Sequence, residues 1–420
     1  MAAAIHGPSG PSSRPRRPTI GRRIWTGVAA LALALALSSP ASASLRTALA
    51  RALVAPGVSG SQTGAFVFDL NRSAIVFTRN QTLPLRPASN EKLGVAVAAL
   101  DELGPNFQIS TDVLGQGSLT ADGVWHGRLI LKGHGDPSLS TARLALLASR
   151  VRTFGISRVT GAILGDESYF DTMRVAPGWK ASYYKEECPP LSALIVNRGR
   201  VGTRISDDPA RTAARLFKLA LQRAGVAVPG RSAKGLAAAT ATPVAQAFSP
   251  VLSRLVHKMD TNSDNFYAEM LLKELGAKIR GRGTTAAGAR VVRTEFVQRG
   301  ATMTGVRIVD GSGLSGFDRL TARAVGQLLI SAGSDGKIKT YFVASLPIAG
   351  VNGTLYDRMR SGPAYRNVFA KTGSTDRASA LSGYAKTRYV FSILMNGSPI
   401  PWASARSAQD RFAQVLAGAA

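Results

Sequence analysis

The chain has 420 residues, 45% of them hydrophobic, which is enough apolar material for a large core and for more than one domain. The formal net charge is +27, so we expect attraction to polyanions such as nucleic acid, anionic lipid or an acidic cell-wall polymer. The single cysteine, Cys188, excludes an internal disulfide and a CxxC redox or zinc motif, and the four histidines include no HxxxH or HxH pair, which argues against a zinc hydrolase.

The first element in chain order has the layout of a secretory signal peptide. Five arginines at positions 14–23 precede the apolar run GVAALALALAL, and Ala41-Ser42-Ala43 offers small residues in the spacing of a cleavage site. The run has 11 residues, fewer than the roughly 20 that a helix needs to span a bilayer, so an uncleaved anchor is the less favoured alternative. We predict a signal peptide over residues 1–43 and an exported protein, periplasmic or cell-wall associated, with no integral membrane span after cleavage.

The predicted export also limits the classes of polyanion that we expect the protein to bind. Removal of the five arginines lowers the net charge from +27 to +22, because residues 1–43 contain no acidic residue. An exported protein rarely meets nucleic acid, so we expect an anionic cell envelope and no nucleic acid as the partner of this charge.

The mature chain begins with a hairpin and a helix. Residues 64–70 and 73–79 are rich in β-branched and aromatic residues and flank a short Asn-Arg connection, which predicts two paired strands. Residues 89–103 predict a helix, because alanine and leucine dominate the segment and Gly104-Pro105 follows it.

The pattern of residue types in the sequence changes from about residue 107. Short strands with glycine turns are predicted there, with a helix near 142–153, a polar, proline-marked loop and a linker over 233–246. Two amphipathic helices follow, then three successive antiparallel strands and a last helix over 402–416. The simplest architecture is one discontinuous α/β domain, residues 44–106 and 243–420, split by a smaller, mainly-β inserted domain over 107–242.

Three Ser-x-x-Lys sequences occur, beginning at Ser89, Ser182 and Ser334, and only the first opens an apolar helix. In that helix Ser89 and Lys92 share one face, and the free N–H groups of the helix N-terminus suit a developing oxyanion. Burial would lower the pKa of Lys92, so that a neutral amine takes the proton of Ser89. The alternative is an N-cap serine followed by a lysine that extends to the helix rim.

Two further motifs favour the catalytic interpretation of Ser89 and Lys92 over the capping interpretation. Ser263-Asp264-Asn265 precedes a predicted helix, where it would otherwise be a capping sequence, and Lys371-Thr372-Gly373 lies on a predicted strand, where a lysine would otherwise protect an edge. The order Ser-x-x-Lys, Ser-x-Asn, Lys-Thr-Gly, each on the expected element, is the motif set of serine β-lactamases and penicillin-binding proteins.

The sequence blocks around these motifs resemble one family more closely. LPLRPASNEKL, LKGHGDPSL, MDTNSDNFYAE, DGSGLS and AKTGSTDRASALSGY are similar to the D-alanyl-D-alanine carboxypeptidase/endopeptidase family, the class C low-molecular-mass penicillin-binding proteins, over about residues 83–396. The resemblance implies a transpeptidase- or β-lactamase-like α/β fold, an α+β sandwich with a central antiparallel sheet. The 174 residues between Ser89 and Ser263 are fewer than in better-known members, so we expect a reduced insertion.

The resemblance also implies a role for each motif residue. Ser89 would be the acylated nucleophile and Lys92 its general base. Ser263 would relay the proton to the leaving amine, and Asn265 would bind the acyl-side amide of the substrate. The strand Lys371-Thr372-Gly373-Ser374 would bind the terminal carboxylate. Peptidoglycan stem peptides would be the substrates and β-lactams acylating inhibitors, and neither a metal nor another cofactor is implied.

Two other functions use the same residues. A β-lactamase or esterase would differ by fast deacylation, and no clear extra glutamate motif for that step is present. A non-catalytic wall-binding protein would need distorted geometry around the same groups.

Overall fold

The computed structural model describes residues 40–420, whose strands form a five-stranded sheet, a six-stranded sheet and a small two-stranded sheet. The strands are β1 (Thr63–Asp69), β2 (Ala74–Arg79), β3 (Ser110–Leu119), β4 (Val124–Gly133), β5 (Arg158–Val159), β6 (Ile163–Asp166), β7 (Arg200–Val201), β8 (Arg204–Ile205), β9 (Ser232–Lys234), β10 (Thr242–Phe248), β11 (Val368–Thr375), β12 (Ala378–Ala385) and β13 (Tyr389–Asn396). The α-helices are α1 (Pro40–Ala52), α2 (Glu91–Glu102), α3 (Thr141–Thr153), α4 (Tyr183–Glu186), α5 (Pro209–Arg223), α6 (Leu252–Thr261), α7 (Asn265–Arg280), α8 (Thr285–Gln298), α9 (Ala322–Ser334), α10 (Lys339–Ser345) and α11 (Trp402–Ala419).

The first sheet is antiparallel and has the order β11-β12-β13-β1-β2. Alternate residues of a strand lie on opposite faces, and β13 illustrates the result: Leu394 joins the core formed with α2, α7 and α9, whereas Phe391 and Ile393 join the core formed with α1 and α11. Helices therefore cover both faces of this sheet, as the predicted sandwich requires. Strand β11 is an edge strand; its first residues also pair with residues 347–349, and its later residues line the site described below.

The second sheet has the order β10-β3-β4-β6-β9 and is built from residues 110–248. Strands β10, β3 and β4 are antiparallel, and β4, β6 and β9 are parallel. Helices α3 and α5 pack on it, and their buried side chains, among them Leu147 and Phe217, form a third core with strand residues such as Leu129 and Ile163. The segment between the two halves of the first sheet thus has its own sheet and core.

The predicted hairpin, the helix after Ser89, the helix near 142–153 and the three C-terminal strands are all confirmed. The predicted linker over 233–246 is wrong, because residues from Thr242 onward form β10 and pair with β3 across more than a hundred residues of sequence. The domain limits at 106/107 and 242/243 stay a prediction, since residues 40–420 form one compact unit by their contacts.

The predicted signal peptide, residues 1–43, lies outside the described residues apart from the first turn of α1. Across residues 40–420, no helix combines the length and the apolar character needed to cross a membrane.

Candidate active site

Ser89 lies in a tight turn that leads directly into α2. The turn is a 3₁₀ helix over Ala88–Asn90, and Ala88 has φ +46°, a left-handed backbone conformation that non-glycine residues rarely adopt. Gly313 lies against this turn, and a Cβ at that position would come within 1.9 Å of the Ala88 carbonyl oxygen. Glycine is therefore required at 313 for the loop over residues 310–315 to approach the turn that carries Ser89.

Lys92 lies one turn further along α2 and is 0% exposed. Its Nζ donates to Ser89 Oγ (2.8 Å), Asn265 Oδ1 (2.8 Å) and the Ser312 carbonyl oxygen (2.7 Å). These three acceptors use all the donors of an ammonium group and come from the turn before α2, from α7 and from the 310–315 loop. The amine is thereby fixed beside the serine hydroxyl.

Burial lowers the pKa of Lys92 from 10.5 to about 8, against the opposing effect of the carboxylates of Asp310, Glu269, Asp264 and Asp260. The direction agrees with the expectation from the sequence. A fraction of the amine is neutral near neutral pH, and a neutral amine in hydrogen-bond contact with a hydroxyl can accept its proton.

Ser263 and Asn265 lie at the junction of α6 and α7. Ser263 has φ +56°, and Asp264 caps α7 by accepting from Tyr267 N (3.2 Å). Asn265 Nδ2 donates to the Glu187 carbonyl oxygen (3.2 Å), so this side chain connects Lys92 to the segment before α5. Ser263 and Ser89 line the same cleft, which has a volume of about 690 Å³.

The Lys371-Thr372-Gly373-Ser374 segment forms the other wall of the cleft. Asn90 Nδ2 donates to the Lys371 carbonyl oxygen (3.0 Å), which holds edge strand β11 against the turn of Ser89. A Cβ at Gly373 would come within 2.8 Å of the Pro87 carbonyl oxygen, so a larger residue there would separate the two segments. Thr372 and Ser374 line the cleft.

The ammonium group of Lys371 is buried behind this wall. The residue is 0% exposed, and its Nζ donates to the Thr372 carbonyl oxygen (3.0 Å). Burial and the neighbouring Lys92 charge lower the pKa of Lys371 well below the ordinary lysine value, while Asp260 opposes them. The structure thus brings Ser89, Lys92, Ser263 and Asn265 to one cleft, with the Lys371 ammonium beneath its surface.

Buried carboxyl groups support the site, and the motif search missed them. Glu269 accepts from the backbone N–H groups of Gly311 (3.0 Å) and Ser312 (2.8 Å), and Asp310 accepts from those of Gly313 and Ser315 (2.7 Å each). Burial and the Asp310 charge raise the pKa of Glu269. Two sequence features could have indicated these carboxyl groups: the glutamate at position 269 within an apolar helix, and the DGSGLS block that begins with Asp310. Neither feature indicates which residues the carboxyl groups contact.

The other two Ser-x-x-Lys sequences lack this arrangement. Ser182 lines the cleft, but Lys185 pairs with Asp207 (2.6 Å). Lys337 is 77% exposed and pairs with Asp101 (3.2 Å). At the rim of the cleft, an ion pair between Lys180 and Asp376 (2.6 Å) connects the segment before α4 to the end of β11.

Comparison with known proteins gives a consistent result. The sequence profile of the D-Ala-D-Ala carboxypeptidase 3 (S13) family matches residues 45–207 and 202–418. The D-alanyl-D-alanine carboxypeptidase of Actinomadura sp. (strain R39) is 31% identical over 86% of this chain and 82% of that protein. Carboxypeptidase DacB of Mycolicibacterium smegmatis is 30% identical over 91% of this chain and 85% of that protein.

The fold has a counterpart among solved structures. The crystal structure of penicillin binding protein 4 from Haemophilus influenzae superposes with a TM-score of 0.78 at 22% identity, covering 88% of this chain and 98% of that one. This likeness confirms the predicted fold class.

Proposed function

The chain belongs to the D-Ala-D-Ala carboxypeptidase 3 (S13) family of serine peptidases, and from this premise we propose that it hydrolyses peptidoglycan stem peptides through an acyl-enzyme on Ser89. The observation that carries the assignment of Ser89 is the 2.8 Å hydrogen bond between Lys92 Nζ and Ser89 Oγ at the end of a 690 Å³ cleft. A serine hydroxyl is a weak nucleophile, and an adjacent base of lowered pKa is what activates it.

In the proposed acylation step, Ser89 Oγ attacks the carbonyl carbon of the penultimate D-alanine while its proton passes to Lys92. The peptide C–N bond then breaks, and the leaving amine of the last D-alanine takes a proton through the Ser263 hydroxyl. Water afterwards attacks the Ser89 ester, which releases the shortened peptide and returns the proton to the serine.

Substrate binding is assigned to the two walls of the cleft. We assign the acyl-side amide to Asn265, which lines the cleft beside Lys92. We assign the terminal carboxylate to the Thr372 and Ser374 hydroxyls on edge strand β11, with Lys371 behind them and Gly373 allowing the strand to approach Ser89. An extended peptide would lie along this open edge as an added strand. The proposed steps use side chains of this chain and need no metal or other cofactor.

We further propose that β-lactams acylate Ser89 and that the protein acts outside the cytoplasm, in the periplasm or at the cell wall. The predicted signal peptide over residues 1–43 and the net charge of +22 after its removal support export and attraction to an anionic envelope.

The test is D-alanine release from a stem pentapeptide by wild type, Ser89→Ala and Ser334→Ala. We expect release by wild type and by Ser334→Ala, whose serine belongs to a surface Ser-x-x-Lys sequence, and none by Ser89→Ala. Equal release by the wild type and Ser89→Ala would disprove the assignment of the nucleophile.

A further inference from the structure

The carboxylate end of the cleft contains a cation that no motif indicated. Arg406, on α11, lines the cleft, and its Nη2 lies 3.3 Å from Ser374 Oγ. The other cleft-lining hydroxyl of the strand, Thr372 Oγ1, donates to Thr354 Oγ1 (2.6 Å). A guanidinium group is therefore next to the hydroxyl that is proposed to receive the carboxylate of the substrate.

Arg406 is held in this place by the first turn of its helix. Trp402 Nε1 donates to the Thr375 carbonyl oxygen (2.6 Å), which fixes the start of α11 against the end of β11. Arg406 follows Trp402 by one helical turn, and its guanidinium lies 6.0 Å from the centre of the indole ring. The backbone position is thus set by the strand that carries Ser374.

The charge of Arg406 is available to a ligand. The side chain is exposed, and among the described side chains no carboxylate forms an ion pair with it. The neighbouring Arg358, by contrast, forms an ion pair with Asp410 (2.7 Å). Asp376, a nearby acid of the rim, is already paired with Lys180 (2.6 Å).

We propose that Arg406 binds the terminal carboxylate of the D-Ala-D-Ala substrate together with the Ser374 hydroxyl, and so makes the enzyme specific for peptides with a free C-terminus. The inference rests on the proposed function and adds a specificity-determining residue to it. Arginine suits the role because it stays charged and presents two N–H groups to one carboxylate. Lys371 suits it less, because its buried Nζ is already bonded to the Thr372 carbonyl and its pKa is lowered by burial.

The test compares kcat/KM for a stem pentapeptide with a free carboxylate and for the same peptide with an amide cap. Arg406→Gln should lower the value for the free acid by roughly 10-fold or more, as expected for a lost hydrogen bond to a charged group, and change the capped peptide little. Arg406→Lys should retain part of the rate. Arg411→Gln removes the same charge from the same helix, where the side chain contacts backbone carbonyls of the α1 region, and should affect both peptides equally and little.

If the amide-capped peptide reacts too slowly to measure, the rates at which benzylpenicillin and its methyl ester acylate Ser89 give the same comparison of a free carboxylate with a blocked one. An equal loss on both members of a pair in Arg406→Gln would mean that the arginine only supports the structure, and would overturn the inference while leaving the proposed function intact. A wild type that neither releases D-alanine nor forms a penicillin adduct would overturn both.

Discussion

At the scale of single residues, the proposed chemistry depends on the Lys92 amine, which is buried and fully hydrogen-bonded and must still be able to lose its proton. The Lys92 ammonium is stabilised by carboxyl groups and destabilised by burial, and burial is the larger effect because the pKa falls to about 8. A lysine at the same spacing on an exposed helix face would remain protonated and could not serve as a base. Of the three Ser-x-x-Lys sequences, only the first has a buried lysine, whereas Lys185 and Lys337 form ion pairs with Asp207 and Asp101.

The state of Lys92 predicts a pH dependence of acylation. With the neutral amine in its proposed role as base, kcat/KM for penicillin acylation should rise with pH and level off above about pH 8, falling about tenfold per unit below it. Lys92→Arg stays charged and should lose several orders of magnitude while its thermal unfolding temperature remains close to that of the wild type. A rate that is flat across this range, or an active Lys92→Arg variant, would remove Lys92 from the role of base.

Glu269 affects both the hydrogen bonding and the pKa of Lys92. Its Oε1 fixes the backbone of Gly311 and Ser312, and so positions the Ser312 carbonyl that accepts from Lys92, while its charge raises the pKa of Lys92. Burial and the Asp310 charge raise the pKa of Glu269 itself to about 8, so its carboxylate charge develops over the same pH range in which Lys92 loses its proton. Glu269→Gln retains an acceptor without that charge, so the midpoint of the acylation profile should move slightly to lower pH, with the largest difference from the wild type around and above pH 8. Glu269→Ala leaves two buried N–H groups unpaired, at about 1–3 kcal/mol each, and should slow acylation at every pH.

The matched control is Glu274→Gln, since Glu274 is also fully buried on α7 but contacts Tyr169 (3.4 Å) instead of the 310–315 loop. Its profile should keep the midpoint of the wild type. The same shift in both variants would show that the effect comes from any buried charge on α7 and not from the position of Glu269.

The sequence predicts the motif residues of the site because their spacing is local, as for Ser89 with Lys92 and Ser263 with Asn265. It does not predict that the Ser312 carbonyl oxygen is the third hydrogen-bond acceptor of Lys92 Nζ, because this contact joins residues 220 positions apart in the sequence. It also does not predict that the Lys371 ammonium is buried or that Arg406 lies at the carboxylate end. Both depend on how β11 and α11 pack together.

At the scale of elements, the local pattern predicts strands and helices wherever one face is clearly apolar, as in β13 and α2. It fails for β10, whose sequence TPVAQAF shows weak alternation, with Val244 and Ala247 as its buried apolar residues. Pairing with β3 and the third core stabilise this strand, and neither is visible in a window of neighbouring residues. The long segment before α5 was correctly predicted as irregular, but its position along the cleft depends on distant ion pairs.

One of these ion pairs predicts a pH-dependent stability. Glu167 accepts two bonds from Arg174 (2.7 Å each) and pairs with Lys234 (2.8 Å), joining the irregular segment to β9. Despite opposing burial, these partners lower the pKa of Glu167 from 4.5 to about 2. The pair therefore stabilises the fold fully above about pH 4.5, and this contribution is lost as the pH falls toward 2.

Glu167→Gln should thus reduce the free energy of unfolding by about 2 kcal/mol near neutral pH, and the difference from the wild type should shrink on acidification. Denaturant titrations at several pH values measure it. Asp207→Asn, which breaks the exposed pair with Lys185, is the control and should have little effect at any pH. A difference for Glu167→Gln that does not vary with pH would mean that the ion pair is not the source of the stability.

At the scale of the whole molecule, the two large sheets differ in what they contribute. The first provides β11, a wall of the proposed active site, and the second has its own core. The formal net charge of the chain is +27, or +22 after removal of the predicted signal peptide. We expect the mature protein to bind vesicles that contain an anionic lipid at low salt and to dissociate as salt screens the charge, with no binding to neutral vesicles. Equal sedimentation with both kinds of vesicle, or binding unaffected by salt, would contradict an electrostatic association.

The most direct measurement of the central claim is the intact mass of the protein followed over time after addition of penicillin. The account predicts an adduct of one penicillin on the wild type and on Ser182→Ala, no adduct on Ser89→Ala, and persistence of the adduct long after free drug is removed. An adduct that survives Ser89→Ala would show that another residue is the nucleophile, and rapid loss of the adduct with turnover of the drug would show a β-lactamase in place of a DD-peptidase.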